Sequence, residues 1–392
     1  MAVTLQAILD AAYPAYAATH RLPLHVHKAV SVLRRCRTGT LGHHAVKCTA
    51  GHLVDVRPNS CRHRACPQCG WRKAMLWLER WQARLLPTRH FHVIVTLPRH
   101  LHILWRWNRK RCADAFFRAV REALLELLEQ DRHLGARPGI LMGLHTWGGA
   151  LPLHPHLHCL VTGGGLTADG RWRASRPDFL LWAPILRTVV RAKLLAAIEH
   201  LLQQGQLVLP PDQDEADVRA LLAATTCTPW HVRIEPPYVH GRGLVVYLAR
   251  YLRGGPIKNH RLLAFTPAGV CFRYREHRGH PWALWRTMTL PVDKCFDRLF
   301  EHVPVTGLHM VRAAGLYAGR EHADREHCRA QIHPPSPQPA CPPAAPTPAA
   351  ERCPRCGAAL VVIVSRTPCQ APRPHEKPIG PGPPLLAVGM SN

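Results

Sequence analysis

His156-Leu157-His158 sets two imidazoles two residues apart, and on a β-strand residues i and i+2 share a face. Such a pair can clamp one divalent ion while Leu157 packs the opposite face into a core. With 28 histidines in the chain, one His-x-His triplet carries little weight by itself. Its surroundings add more. The triplet sits in His154-Pro155-His156-Leu157-His158-Cys159-Leu160-Val161-Thr162-Gly163-Gly164-Gly165, which reads as a strand running into a glycine turn. A second strand is expected over 139–147, and Gly148-Gly149 opens the connection between the two. If that hairpin loop has four residues, Gly149 to Pro152, His145 stands opposite His156 and points to the same face. His154 is in phase with His156 and is the rival, so the third ligand is His145 or His154. His90 and His92 make another triplet in the strand Arg89–Leu97, but no glycine turn accompanies it and it is the weaker candidate.

A second chemistry lies in the cysteines. Cys61-Arg62-His63-Arg64-Ala65-Cys66-Pro67-Gln68-Cys69 holds a CxxC with a third cysteine five residues upstream, and Cys48 and His52 come one short loop earlier. A Cys-Pro-x-Cys turn sets two thiolates on one side, which suits tetrahedral zinc. The expected set is Cys48, Cys61, Cys66 and Cys69 around one structural Zn²⁺, with His52 and His44 as spare candidates. Four protein ligands leave no open position, so this metal holds structure rather than doing catalysis. Cys353-Pro354-Arg355-Cys356-Gly357 looks like half of a zinc knuckle, with only Cys369 after it.

The third candidate is Tyr247-Leu248-Ala249-Arg250-Tyr251. On a helix, residues four apart lie on one face, one turn from each other, so both phenols would be presented together. The structural alternative is a pair of tyrosines on a core-facing stripe.

The elements that must position these groups follow from periodicity. Residues 1–35 read as two amphipathic helices, Gly70 to Leu86 as a helix carrying Trp71, Met75, Leu78, Trp81 and Leu85 inward, and Ala113–Gln130 and Asp178–Gln204 as further helices. Strands are expected at 89–97, 139–147, 153–162, 230–235, Leu262–Phe265, Val270–Arg275 and Leu284–Leu290, with a helix over Val292–His302. From about Ala330 the chain becomes Pro/Ala-rich, and such composition cannot bury a core. The domain expectation is 1–86 for a zinc-binding, DNA-contacting module, 87–328 for the catalytic domain, and 329–392 for a linker and CxxC tail, largely disordered.

Lys and Arg outnumber Asp and Glu by 51 to 25, a formal charge of +26, and the excess runs along the whole chain. A polyanion is the expected partner, nucleic acid ahead of a membrane surface. Met1 to Asp10 lacks the features of a secretory signal, and no apolar run reaches the ~18 residues that span a bilayer. The expected location is the cytoplasm, at the nucleoid. Several of the fifteen cysteines cluster at CxxC spacings, and there such clusters serve metal rather than disulfides.

The cysteine-rich module, HPHLHCLVTGGG, YLARYL and FDRLFEHVPVTGLHMVRAAGLYAGR follow one another in an order that resembles a rolling-circle transposase of bacterial insertion sequences. The resemblance is to the two-tyrosine, histidine-hydrophobe-histidine (HUH) group called the insertion-sequence ninety-one family, and it spans about residues 20 to 325. It implies an α+β fold in which an antiparallel sheet carries the histidine pair on a central strand and a helix above it carries the tyrosines. It implies Mg²⁺ or Mn²⁺ at His156 and His158, and Tyr247 and Tyr251 as nucleophiles that nick and rejoin single-stranded DNA at transposon ends through a 5′-phosphotyrosine. DNA is the implied partner, with a homo-oligomer left open. The chain departs from the family pattern where Cys48-Thr49-Ala50-Gly51-His52 stands in place of a CxxC, and where Ala65 replaces a histidine before the Cys-Pro-x-Cys turn. The same chemistry would serve a replication initiator or relaxase, although no GxxxxGK[ST] motif is present. A non-enzymatic zinc-dependent DNA-binding protein, or an inactive transposase remnant, is the reading from a different class.

Overall fold

The computed structural model describes residues 3–252, 255–276, 284–332 and 352–363. Two helices open it, α1 (Leu5–Thr19) and α2 (Leu24–Arg34). Thr4 caps α1 by accepting from the Ala7 N–H, which satisfies one of the donors that a helix start leaves over. Leu5, Ile8, Leu9, Tyr13 and Tyr16 form its buried stripe. The cysteine-rich stretch contains an antiparallel hairpin, β1 (His43–Cys48) and β2 (Leu53–Pro58), and then α3 (Gly70–Arg84). Leu78 and Trp81 of α3 are buried, but Trp71 is 67% exposed, so the inward stripe expected for this helix begins one turn later than Trp71.

The middle of the chain supplies β3 (His90–Thr96), α4 (His102–Trp107), α5 (Arg109–Leu128), β4 (Arg137–Trp147), β5 (Leu153–Leu166) and β6 (Trp172–Ala174). After these come α6 (Ala183–Gln203), α7 (Glu215–Thr226), β7 (His231–Ile234) and α8 (Arg242–Leu252). Asp214 and Asp217 close a reciprocal capping box at the start of α7. The last third holds β8 (Leu262–Thr266), β9 (Gly269–Glu276), β10 (Leu284–Leu290), α9 (Val292–Phe300), β11 (Val311–Gly315), α10 (His322–Gln331) and β12 (Leu360–Ile363). Among the described residues no helix is long and apolar enough to cross a membrane.

The central sheet runs β11-β4-β5-β3-β7, with β6 added beside the end of β5, and all its pairings are antiparallel. The α+β class with helices flanking an antiparallel sheet is therefore the one the chain adopts. Pleat alternation gives the sheet two different faces. Leu157, Cys159 and Val161 of β5, Val93 and Val95 of β3, and Ile140, Met142 and Leu144 of β4 enter the largest apolar core, which the stripes of α5 and α6 cover. On the other face Leu141 and Leu160 pack against Leu78 and Trp81 of α3 and Leu244, Val245, Leu248 and Ala249 of α8. The histidines of β3, β4 and β5 share this second face.

The glycines of β5 correct one expectation. No turn forms at Gly163–Gly165, because β5 continues to Leu166 and the chain reverses at Thr167–Gly170 instead. A Cβ on Gly165 would come within 2.6 Å of the Arg137 carbonyl oxygen, and one on Gly163 within 3.0 Å of that of Arg89. The glycines thus serve close approach of neighbouring backbone inside the sheet.

A third core joins the two ends of the folded chain. Stripe residues of α1 and α2 bury against Ile257, Leu262, Val270 and Phe272 of the β8–β10 sheet region and against Phe296 and Phe300 of α9. The Tyr16 hydroxyl donates to Asp297 at 2.6 Å, tying α1 to α9. The remaining sheet, β12-β1-β2, is small, and no residue of β1 or β2 joins any of the three cores.

Candidate metal centre and tyrosine helix

β5 is the middle strand of the histidine face, flanked by β4 and β3. His145 of β4 pairs directly with His156 of β5. The loop has five residues, 148–152, and a register shift between His145 and Trp147 brings the two imidazoles level. His145, His156 and His158 each offer a ring nitrogen, and these atoms all lie within 4.8 Å of one another. His154 is exposed and does not join this group.

The hydrogen bonds around the trio select ring nitrogens. His156 Nδ1–H donates to the His154 carbonyl at 2.6 Å, which leaves Nε2 as a lone-pair donor. His158 Nδ1 pairs with His92 Nε2 at 2.8 Å, and His158 Nε2 is buried with no hydrogen-bond partner among the described residues. A buried, unpartnered nitrogen beside two other imidazoles fits a divalent ion, and an all-imidazole set suits Mn²⁺ and softer ions better than Mg²⁺. Burial holds the His156 imidazole down to about pKa 4, and it holds His145 and His158 well below the usual histidine range. The three rings are thus neutral near pH 7, the form that ligates.

His92 is the member that sequence spacing discounted. It lies on β3, across from Leu160, and it reaches His158 because paired residues of adjacent strands face the same side. Its His90-Phe91-His92 triplet has no glycine turn beside it, and only the β3–β5 register brings His92 to His158. His90, two residues earlier, binds elsewhere. Its Nε2 meets the Tyr317 hydroxyl at 2.6 Å and its Nδ1 the Thr88 carbonyl.

Above the trio runs α8. Leu244, Val245, Leu248 and Ala249 hold it to the sheet, and Gly241 lets its first turn approach β3, where a Cβ would stand 2.9 Å from the His90 ring. This seating puts the half-buried Tyr247 ring 5.3 Å from that of His158, 6.0 Å from that of His92 and 6.5 Å from that of His145, between centroids. Tyr251 follows one helical turn later, and its side chain lies outside the described residues.

The cysteines form a separate centre. Cys36 at the end of α2, Cys61, Cys66 and Cys69 at the start of α3 bring their four sulfurs within 4.8 Å of one another. The Cys61–Cys69 and Cys66–Cys36 sulfur pairs are each 3.6 Å apart, close to the roughly 3.8 Å edge of a tetrahedral zinc–thiolate site. Cys36 is thus the fourth member of this group, in the place where Cys48 was expected. Cys48 belongs to β1, and the hairpin carries it away to a second cluster with His52, Cys353 and Cys356. His44 joins neither cluster, since its Nδ1 hydrogen-bonds Asn59 at 3.0 Å.

Among known proteins, residues 139–325 match the family model described as "Putative transposase", and residues 8–97 match the one described as "Transposase zinc-binding domain". The histidine trio and α8 fall in the first segment and the four-cysteine group in the second. "Putative transposase y4qJ" of Sinorhizobium fredii is 34% identical over 317 residues, 78% of each chain. "Transposase for insertion sequence element IS801" of Pseudomonas savastanoi pv. phaseolicola is 32% identical over 302 residues, 75% of this chain and 70% of that one. No solved structure matches the chain. With the two family segments in this order and two relatives covered over most of their length, the chain belongs to the insertion-sequence ninety-one (IS91) family of transposases and carries the zinc-binding module at its N-terminal end.

Proposed function

We propose that this transposase nicks and rejoins single-stranded DNA at transposon ends by way of a 5′-phosphotyrosine, with Tyr247 and Tyr251 as the nucleophiles. The observation that carries the reading is the Tyr247 ring standing over His158 at 5.3 Å, between the helix that bears it and the histidine face of the sheet. The phenolic oxygen of Tyr247 forms a bond to the scissile phosphorus as the bond to the 3′ oxygen breaks. The phenol gives up its proton, and the departing oxygen takes one up to become a 3′-hydroxyl. The reverse attack by a 3′-hydroxyl restores the phosphodiester and frees the tyrosine, so rejoining needs no nucleotide cofactor. His145, His156 and His158 would hold a divalent ion, Mg²⁺ or Mn²⁺, which would supply charge neutralisation at the scissile phosphate. Tyr251, one turn along α8, takes a second strand while the first remains linked. The four-cysteine group serves as a structural zinc site that ties α2 to α3. With cellular DNA as substrate, the place of action is the bacterial cytoplasm.

The test uses labelled single-stranded oligonucleotides carrying the element's ends, incubated with Mn²⁺ and resolved on a denaturing gel. Wild type forms a covalent protein–DNA adduct. Phe removes only the phenolic oxygen, so Y247F/Y251F binds the ends and stays folded but forms no adduct. Either single variant retains some cleavage and loses complete strand transfer. An adduct from the double variant would move the nucleophile away from α8, with Tyr238 and Tyr274 next in line.

A further inference from the structure

Two ends of the chain, some 300 residues apart in sequence, meet beside β1. Cys48 ends β1 and His52 follows a tight turn; Cys353 and Cys356 sit in the turn that leads into β12, which pairs antiparallel with β1, Cys48 opposite Leu360. The Cys48 and Cys356 sulfurs are 3.6 Å apart. His52 Nδ1 lies 3.5 Å from Cys48 Sγ and 3.9 Å from Cys353 Sγ. Zinc bonds of ordinary length at tetrahedral angles put sulfur pairs at about 3.8 Å and sulfur–nitrogen pairs at about 3.6 Å. The four ligand atoms therefore have the separations that one ion requires.

The backbone around them is built for the same purpose. Gly51 N–H donates to the Cys48 carbonyl at 2.9 Å, and Gly357 N–H to the Cys353 carbonyl at 2.8 Å. Both glycines have left-handed backbone, φ +88° and +68°, so each half-site closes in a turn that other residues adopt poorly. The His52 N–H also points at Cys48 Sγ, 3.3 Å away, as backbone donors do around a thiolate.

The sheet that these turns belong to is small. Its strands have four to six residues, and no residue of 43–58 joins an apolar core cluster. A sheet of this size needs an apolar face or a cross-link to hold. We propose that Cys48, His52, Cys353 and Cys356 form a second, structural zinc site that clasps the CxxC segment after the Pro/Ala-rich stretch onto the N-terminal hairpin. Cys48-Thr49-Ala50-Gly51-His52 is then a half-site of Cys-x-x-x-His type, and the tail CxxC is its other half.

The test is elemental analysis of the purified full-length chain. Two zinc ions per chain are expected, falling to one in C353S/C356S and remaining two in H52C, which exchanges nitrogen for sulfur. Cobalt substitution separates the centres, because the double variant loses the thiolate charge-transfer intensity of a three-sulfur, one-nitrogen site and keeps that of the four-sulfur site. Hydrogen exchange reads the clasp itself: in C353S/C356S the amides of 352–363 lose protection while those of β5 keep theirs. C66S, directed at the other centre, removes one zinc and leaves 352–363 protected. One zinc in the wild type, two in C353S/C356S, or a disulfide among these three cysteines in the native protein would each overturn the proposal.

Discussion

The 2.8 Å contact between His92 Nε2 and His158 Nδ1 decides which nitrogen of His158 faces the other two imidazoles. An orienting partner of this kind fixes a ligand's tautomer and ring plane, and its loss typically costs 10- to 100-fold in metal affinity. His92→Ala should therefore raise the Mn²⁺ concentration for half-maximal adduct formation by about 10- to 100-fold, with adduct yield recovering at saturating metal. His92→Gln, which keeps a polar group near the same place, should recover part of that shift. A metal titration with an unmoved midpoint would reduce His92 to a packing residue. The pair His156 and His158 was legible because strand alternation needs only adjacent sequence. His145 depended on a loop length, and the register arises from a five-residue loop plus a local shift rather than from a four-residue loop. His92, 66 residues from His158, could be connected to it only through inter-strand register, which local pattern does not encode.

At the scale of elements, the close approach of β4 and β5 sets the position of His145. Gly165 pairs with Pro138, and a Cβ there would press into the Arg137 carbonyl, a backbone atom that cannot swing aside. Gly165→Ala should therefore cost about 1–3 kcal/mol in unfolding free energy, the usual range for overpacking, and should weaken adduct formation by shifting β4. Denaturant melts beside the gel assay check both, and wild-type stability would mean the strands can part without penalty. Phe296→Ala tests the core shared by α1, α9 and the β8–β10 region, where the ring meets Tyr16 at 5.2 Å between centroids. The expected loss is about 3–5 kcal/mol, with α1 losing exchange protection together with α9. The long, strongly patterned elements of the central sheet and its helices could be read from sequence. β1, β2 and β12 could not, because all three are short and β1 and β2 carry charged and polar residues without a regular apolar alternation. Their order rests on ligand geometry between distant segments, and the tail CxxC looked incomplete because its partners stand some 300 residues upstream.

Across the whole molecule the dominant feature is charge. Lys and Arg exceed Asp and Glu by 51 to 25, and many of the acids are already engaged by arginines, such as Asp114 by Arg312 and Glu301 by Arg106. The acids are too few to neutralise the cations, so bound phosphates are the natural counter-charge of the surplus. Each phosphate neutralised releases condensed counterions, which makes affinity fall as a power of salt concentration. A protein contacting about 6–10 phosphates loses roughly 10³- to 10⁵-fold in affinity between 50 and 200 mM salt, with a shallower slope for single strands than for duplex. End-binding by this transposase should fall within that range, and unlabelled single strand should compete at least as well as duplex if, as proposed, the tyrosine chemistry acts on an unpaired strand. The two steps can be separated. With DNA held at saturating concentration at each salt level, the rate of adduct formation should change far less than the affinity, since the proposed reaction takes place at the buried histidine face rather than within the diffuse cation field. Fluorescence anisotropy across a salt series gives the slope, and single-turnover adduct formation gives the rate. A flat binding slope would show that the excess charge does not track the DNA backbone, and a rate that fell in step with affinity would place surface cations in the chemical step itself.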